Sequence, residues 1–396
     1  MSLRMAVPPG SREALPEEAD VLIIGGGIMG LATAYHAALL GQRNIVVIDK
    51  SYLCSGASGR NGGGVRMQWS SADAVDLMRA SVEQCKSFAA EMGVNVWFRQ
   101  GGYLFLVKNE ALIPTLEKNV HTQNECGAPT KLISPSEAAE LVPGLSVEGV
   151  HVASYNPEDG VLFPWPFIWG YAHRALELGV RIFTFVDVER FTLANRRISH
   201  VHTSRGTMRV GHVINATGAW SPKVSALAGL RLPNQPYRHE ILTTEPLKPF
   251  LNPMVTILGE GIYFSQSMRG EIVGGMGDPA ELPGENSSSS LDFIRRFART
   301  ATSLLPQLGN VQIVRQWAGL YDVSPDGRPI LGEAEAVPNM TLLAGFTGHG
   351  FMMAPIIGKL AAERLVLGTK VSYFDKNGPD RFLDGIPENT ESMIIG

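Results

Sequence analysis

Cysteine is scarce in this sequence of 396 residues. Cys54, Cys85 and Cys126 are an odd set with no CxxC pair, which excludes a disulfide framework and gives no zinc site. An excess of charge of either sign is also missing. The net charge is −4, so no basic surface points to nucleic acid. The first 18 residues lack the apolar run of a secretory signal, and Glu13, Glu17 and Glu18 argue against a transit peptide. With Pro8, Pro9 and Pro16 among them, residues 1–18 read as a disordered leader on a cytoplasmic protein. No internal repeat and no coiled-coil heptad is visible. What remains, at 44% hydrophobic and 18% charged residues, has the composition of a soluble globular protein long enough for two domains.

The chain is organised around Ala19 to Lys50, ADVLIIGGGIMGLATAYHAALLGQRNIVVIDK. Val21 to Ile24 is a short β-branched run. Gly25, Gly27 and Gly30 follow in GxGxxG spacing, with Ile28 and Met29 between them. Leu31 to Leu40 is helical in content, and Asn44 to Ile48 is a second β-branched run that ends on Asp49 and Lys50. Strand, tight turn, helix, strand and acid in this order form a dinucleotide-binding unit. Gly25 permits the turn, Gly27 lets backbone approach a pyrophosphate, and Gly30 lets helix and strand pack closely. The helix N-terminus offers N–H groups to phosphate, and Asp49 stands where an acid accepts from a ribose. Val21 to Leu40 is also about the length of a membrane span. Its glycines, His36 and the polar residues behind it favour the nucleotide reading.

Ser51 to Gly64 reads SYLCSGASGRNGGG, too rich in glycine and serine for a regular element. Running on from the second strand, it can lie beside the cofactor, with Ser55, Ser58, Arg60 and Asn61 as donors and Gly59, Gly62 and Gly63 as close backbone. A flexible surface loop is the other reading. Ala74 to Met92 has the periodicity of an amphipathic helix. Val213 to Ala216 is a strand leading into Thr217-Gly218-Ala219-Trp220, a second step from strand to glycine. Residues 222–310 change to strand-like pieces, followed by a helix from Leu291 that Ser289 and Asp292 are expected to cap. Met340 to Ala344 is a buried strand, followed by Gly345-Phe346-Thr347-Gly348-His349-Gly350 and a long helix from Phe351.

The GxGxxG unit, the NATGAW step and the GFTGHGFMMAP segment together resemble the D-amino-acid oxidase superfamily of FAD-dependent oxidoreductases. Within it the chain is most similar to the sarcosine oxidase β-subunit and L-proline dehydrogenase β-subunit group. GVRMQWS, YRHEILTTEP and WAGLYDVSPDGRPILG also match segments of that group. The resemblance implies an α/β fold with a Rossmann-like FAD-binding domain of the GR2 type. This domain is drawn from residues 19–90, 150–221 and 315–370. An α+β substrate domain with an antiparallel sheet is drawn from 91–149 and 222–314, and 371–396 is left as a C-terminal tail. Val188, Ala216, Thr217, Gly218, Trp220, Gly319, Gly348, His349, Gly350, Phe351 and Met352 join the cofactor-binding residues on the same ground. Three departures stand out. Monomeric sarcosine oxidases tether flavin through a cysteine where this chain has Leu320, so the FAD is expected to be non-covalent. The histidine that tethers FMN in the heterotetrameric β-subunits is missing from Gly160 to Trp165. The lysine that grips the substrate carboxylate in monomeric relatives is Met352.

The resemblance implies oxidation of the C–N bond of a small secondary amino acid, sarcosine- or proline-like, to an imine by hydride transfer to flavin N5. Arg66 can anchor a carboxylate bidentately or sit in an ordinary salt bridge. Tyr263 and Tyr321 fall in segments that line the substrate side in relatives, or they are packing residues. His349 either adds a donor beside the flavin or is a turn histidine. Trp69 and Met352 are expected as apolar wall, and His239 is a weaker candidate. A partner subunit or another electron acceptor completes this picture. The alternatives are a glycine or glycerol-phosphate oxidase of the same fold, a non-catalytic FAD-binding assembly subunit, and an NAD-dependent dehydrogenase.

Overall fold

The computed structural model describes residues 13–387 and 390–394. Two eight-stranded sheets carry it. The first runs, edge to edge, Ile330–Glu333, Met340–Ala344, Gly206–Asn215, Glu18–Ile24, Ile45–Asp49 and Arg181–Thr184, with Arg197–Thr203 and Val188–Ala194 folded back antiparallel from Gly206–Asn215. Its four central neighbours pair in parallel, as in Ile23 with Val47 and Ile214. Parallel strands are buried on both faces, and the alternation of side chains divides them. Val21, Ile23, Ile45 and Val47 pack on the helices Ile28–Leu39, Ala72–Met92, Pro164–Glu177 and Gly350–Leu367. Leu22, Ile24, Val46 and Ile48 pack on the antiparallel extension through Phe191, Ile198 and Val201.

The second sheet runs Ile313–Val323, Gln235–Pro246, Glu271–Met276, Ile262–Gln266, Met254–Ile257, Tyr103–Val107, Val152–Asn156 and Lys131–Ile133. All its pairs are antiparallel except Met254–Ile257 with Tyr103–Val107. Alternation again sorts the faces. Leu104, Leu242, Val255 and Phe264 bury themselves under Phe293, Phe297 and Leu304 of the helix Leu291–Leu304. Tyr103, His239, Met254 and Tyr263 point the opposite way, into a cavity between the two sheets.

Several expectations shift. Glu18 is already in the first strand, and the Glu17 carbonyl accepts from the Arg209 amide, so the last residues of the expected leader belong to the first sheet. Residues 1–12 of that leader lie outside the described residues. Val152–Asn156 and residues 315–323 were expected in the nucleotide-binding unit, yet both lie in strands that hydrogen-bond into the second sheet. Strand-like composition does not say which sheet a strand joins. Ser290, not Ser289, caps the helix at Leu291, its hydroxyl accepting from the Phe293 amide. Among the described residues no helix is long and apolar enough to cross a membrane.

Candidate functional site

A cavity of about 500 Å³ runs from the glycine turn of the first sheet to the open face of the second. At the turn, Gly25 has φ +113, and a Cβ there would strike the Ala216 carbonyl oxygen. Only glycine fits this crossing of the two expected strand-to-glycine steps. Gly27 and the start of the helix Ile28–Leu39 face the cavity. The Ile28 amide donates to Ser58 Oγ at 3.0 Å, so the glycine-rich loop lies against the helix N-terminus. Asp49 Oδ2 accepts from the Gly26 amide and Oδ1 from the Ser51 amide, both at 2.8 Å. Burial pushes its pKa up, and these two donors act against that rise.

Beyond Asp49 the wall carries Lys50, Val188, Thr217, Gly218 and Trp220. Lys50 Nζ lies 3.7 Å from the centre of the Trp220 ring, and Trp220 Nε1 donates to Glu285 at 2.9 Å. Glu285 reaches across from the polar loop before the helix at Leu291. Toward the other end stand Ser55, Arg60, Asn61, Gly62, Gly63, Gly319 and the segment Gly348–Met352. Arg60 donates to the Ser55 and Ala318 carbonyls at 2.9 and 2.8 Å, which ties the loop to the second sheet. The helix Gly350–Leu367 points its N-terminus into this end, where its first amides have no partner within the helix. Gly348, with φ +81, lies so close to the Tyr321 ring that a Cβ would overlap it.

The inner wall is aromatic. The His239 and Tyr321 rings stack at 4.4 Å, and the His239 and Tyr263 rings at 5.6 Å. His239 Nε2 and Tyr263 Oη are 3.2 Å apart. The sheet register builds this wall, because His239 pairs with Gly319 and Tyr263 with Gly275. Both partners are glycines and leave the space to the rings. Burial holds His239 neutral, its pKa pushed down to about 3, and pushes the Tyr263 phenol up. Tyr103, Met254 and Met352 complete the wall.

Most expected cofactor-binding residues thus meet at one cavity, and the exceptions have physical reasons. Gly30 does not line it, because its Cα faces the Gly25 carbonyl. Gly59 is turned onto the Cys54 carbonyl and Trp165. Arg66 corrects the expectation most. It does not face the cavity but lies fully buried behind His349, with the Trp69 ring 4.4 Å from its guanidinium carbon. Trp69 likewise packs behind the wall, 4.9 Å from the His349 ring. Both belong to a segment whose backbone turns beneath the site, which residue type alone does not reveal. His239 proves central to the wall. Tyr103, Met254 and Glu285 were missed. The alternation YLFLV could have placed Tyr103, whereas nothing local marks Glu285.

These residues fit a long dinucleotide. A helix N-terminus stands toward each end, an acid is oriented by two amides, and glycine backbone lies where a Cβ would obstruct. The comparisons with known proteins agree. A family model described as FAD dependent oxidoreductase (DAO) matches residues 20–364. The chain is similar to the solved L-proline dehydrogenase from P.horikoshii, 37% identical with a TM-score of 0.89, over 93% of this chain and 99% of that one. It is 29% identical to sarcosine oxidase subunit beta of Rhizobium meliloti (strain 1021), over 92% of this chain and 89% of the relative. It is also 29% identical to FAD-dependent oxidoreductase domain-containing protein 1 of Xenopus laevis, over 89% and 80%.

Proposed function

The chain belongs to the DAO family of FAD-dependent oxidoreductases, and on that premise we propose that it oxidises the C–N bond of a small secondary amino acid, proline- or sarcosine-like, to an imine. One observation carries the reading: a single cavity joins the N-terminus of the helix Ile28–Leu39 to the wall of His239, Tyr263 and Tyr321. In this reading Gly27, Ile28, Met29 and Ser58 hold the pyrophosphate, and Asp49 the ribose. Lys50, Val188 and Trp220 flank the adenine. Residues 60–63, Gly319 and Gly348–Met352 surround the ring system. Bound FAD would supply a two-electron acceptor for the hydride that leaves the carbon beside nitrogen, and the proton on nitrogen would leave to solvent to give the imine. The protein supplies position and field. The helix N-terminus at Gly350 would favour negative charge on a ring system held at this end of the cavity. The stacked rings and Met254 and Met352 wall this end of the cavity with largely apolar surface. Neutral His239 and the Tyr263 hydroxyl can bond the amine or the carboxylate without adding charge.

The names of the relatives support the substrate class, L-proline dehydrogenase and sarcosine oxidase subunit beta, and the second of these supports a partner subunit. A non-catalytic FAD-binding subunit is the second reading. It is favoured by the cations of the cavity, Lys50, Arg60 and Lys223. Two of these sit at the Trp220 end, and Arg60 is tied to backbone. Anaerobic titration of the yellow protein with proline, sarcosine, glycine and glycerol 3-phosphate separates these readings. Bleaching by proline or sarcosine is expected. Bleaching by glycine or glycerol 3-phosphate alone would move the substrate class, and no bleaching by any of the four would favour the non-catalytic subunit.

A further inference from the structure

The nucleotide end of the cavity is walled by residues that follow strands of the first sheet, Lys50 after Ile45–Asp49 and Trp220 after Gly206–Asn215, and also by Glu285. Glu285 belongs to residues 277–290, which leave the second sheet after Glu271–Met276 and form neither helix nor strand. Both oxygens of its carboxylate are used on the first sheet's side. Oε2 accepts from Trp220 Nε1 at 2.9 Å, and Oε1 meets Lys223 Nζ at 2.6 Å. Lys50 Nζ lies over the same indole ring. Burial pulls the Lys50 pKa down, and the charge of Glu285 acts against that fall.

Holding a glutamate in one place costs rotamer freedom, and the loop is built to limit that cost. Its backbone is tied down on both sides of Glu285. The Gly284 amide donates to the Pro236 carbonyl at 2.8 Å. Arg238 donates from Nε and Nη2 to Glu281 Oε2 at 3.0 and 2.6 Å, and from Nη1 to the Ser288 carbonyl at 3.2 Å. The Ser290 amide donates to Glu240 at 2.6 Å. Pro236, Arg238 and Glu240 alternate along the strand Gln235–Pro246, which carries His239 on its other face. One strand thus shapes the substrate end and presents the loop to the nucleotide end.

These contacts do little for the fold itself. The Lys223 side chain is 72% exposed and that of Glu285 32%, and ion pairs so exposed add little to stability. Their effect falls on the indole. An indole N–H only donates, and with that donor fixed on Glu285 the ring is held in the cavity wall. We propose that Glu285 is a cofactor-positioning residue: from the second sheet's loop it clasps Trp220 and Lys223, and this clasp sets how long FAD is retained, given the reading above in which Lys50, Val188 and Trp220 flank the adenine.

The test follows FAD release from the full-length, FAD-loaded protein after dilution, read as flavin passing an ultrafiltration membrane. Glu285→Ala removes both contacts and is expected to speed release about tenfold. Glu285→Gln keeps the shape and an acceptor for the indole but loses the charge facing Lys223, and is expected to speed release about two- to fivefold. Raising potassium chloride from about 0.05 to about 0.5 M screens that pair, so the difference between Glu285→Gln and the native protein is expected to shrink. Trp220→Phe removes the N–H. In that background Glu285→Ala is expected to add only the about two- to fivefold of the Lys223 contact, because the two changes break one hydrogen bond. A full tenfold added there would show that Glu285 does not act through Trp220 and would overturn the proposal. Native release rates in both Glu285 variants, with release speeded by Trp220→Phe, would also overturn it and leave the adenine placed as above. Native release rates in Trp220→Phe and Lys50→Met as well would sink both.

Discussion

Nε2 of His349 stands 3.1 Å from the Arg66 guanidinium. A guanidinium can only donate, so this nitrogen accepts and the imidazole proton sits on Nδ1. Burial, and after it the charge of Arg66, push the His349 pKa well below the usual histidine value. One buried arginine thus fixes the tautomer, and with burial the neutrality, of the histidine at the N-terminus of the helix aimed at the cavity.

The first prediction follows from that pair. Nitrogen-15 NMR is expected to show His349 and His239 neutral from about pH 8 to 5, with His349 as the Nδ1–H tautomer. Unfolding frees such histidines to take up protons below 6.5, so their contribution draws stability down as pH falls toward the lowered values, about 4 for His36 and His212 and about 3 for His239. Asp159 and Asp322, lifted by burial to about 7, act in the opposite sense because the folded state holds their protons. His349 or His239 titrating near the ordinary histidine value in the folded protein would contradict the assignment.

Gly27 separates cofactor contact from folding better than its neighbours. A Cβ at Gly25 or Gly30 would strike backbone oxygen, whereas one at Gly27 meets only Ser58 Oγ at 3.0 Å. Gly27→Val is therefore expected to fold but to purify colourless, because its branches fill the approach to the helix N-terminus. Full FAD content in this variant, read by absorbance, would displace the pyrophosphate site.

Asp49→Ala removes the acceptor that two amides orient. Loss of a charged hydrogen bond costs about 1.5–3 kcal/mol, so FAD affinity is expected to fall about ten- to 150-fold. Fluorescence titration of the apoprotein with FAD measures this, and Asp49→Asn should recover part of the loss.

Acid precipitation is expected to release all the yellow colour. Leu320 lines the cavity where a tethering cysteine would be needed. Cys54 also lines it, but beside the Gly26 carbonyl and with its thiol pushed up by burial, so it is a poor nucleophile. Colour retained in the pellet would show a covalent bond.

Electron transfer onward is the last prediction. If the chain works with a partner, as the name of its relative sarcosine oxidase subunit beta suggests, the isolated protein reacts slowly with oxygen and faster with an artificial acceptor. Rapid peroxide formation by the chain alone would count against a partner.

By itself the sequence determined the nucleotide end. Gly25, Gly27, Asp49 and the strands and helix around them lie within about thirty residues, where local periodicity and the steric needs of glycine act directly. The GHG segment was legible for the same reason, because a glycine turn before a long helix is a local signal. Only the tertiary structure decided the substrate end. His239, Tyr263 and Tyr321 come from three strands, and their stacking depends on a register that sets two of them opposite glycines. Arg66 looked like a ligand-binding cation because its residue type suits one. Its burial depends on Trp69 and Phe105 and on Met393 from the far end of the chain. Contacts separated by up to 327 positions leave no periodic trace in a sequence, since they are fixed by packing and not by any local preference of the backbone.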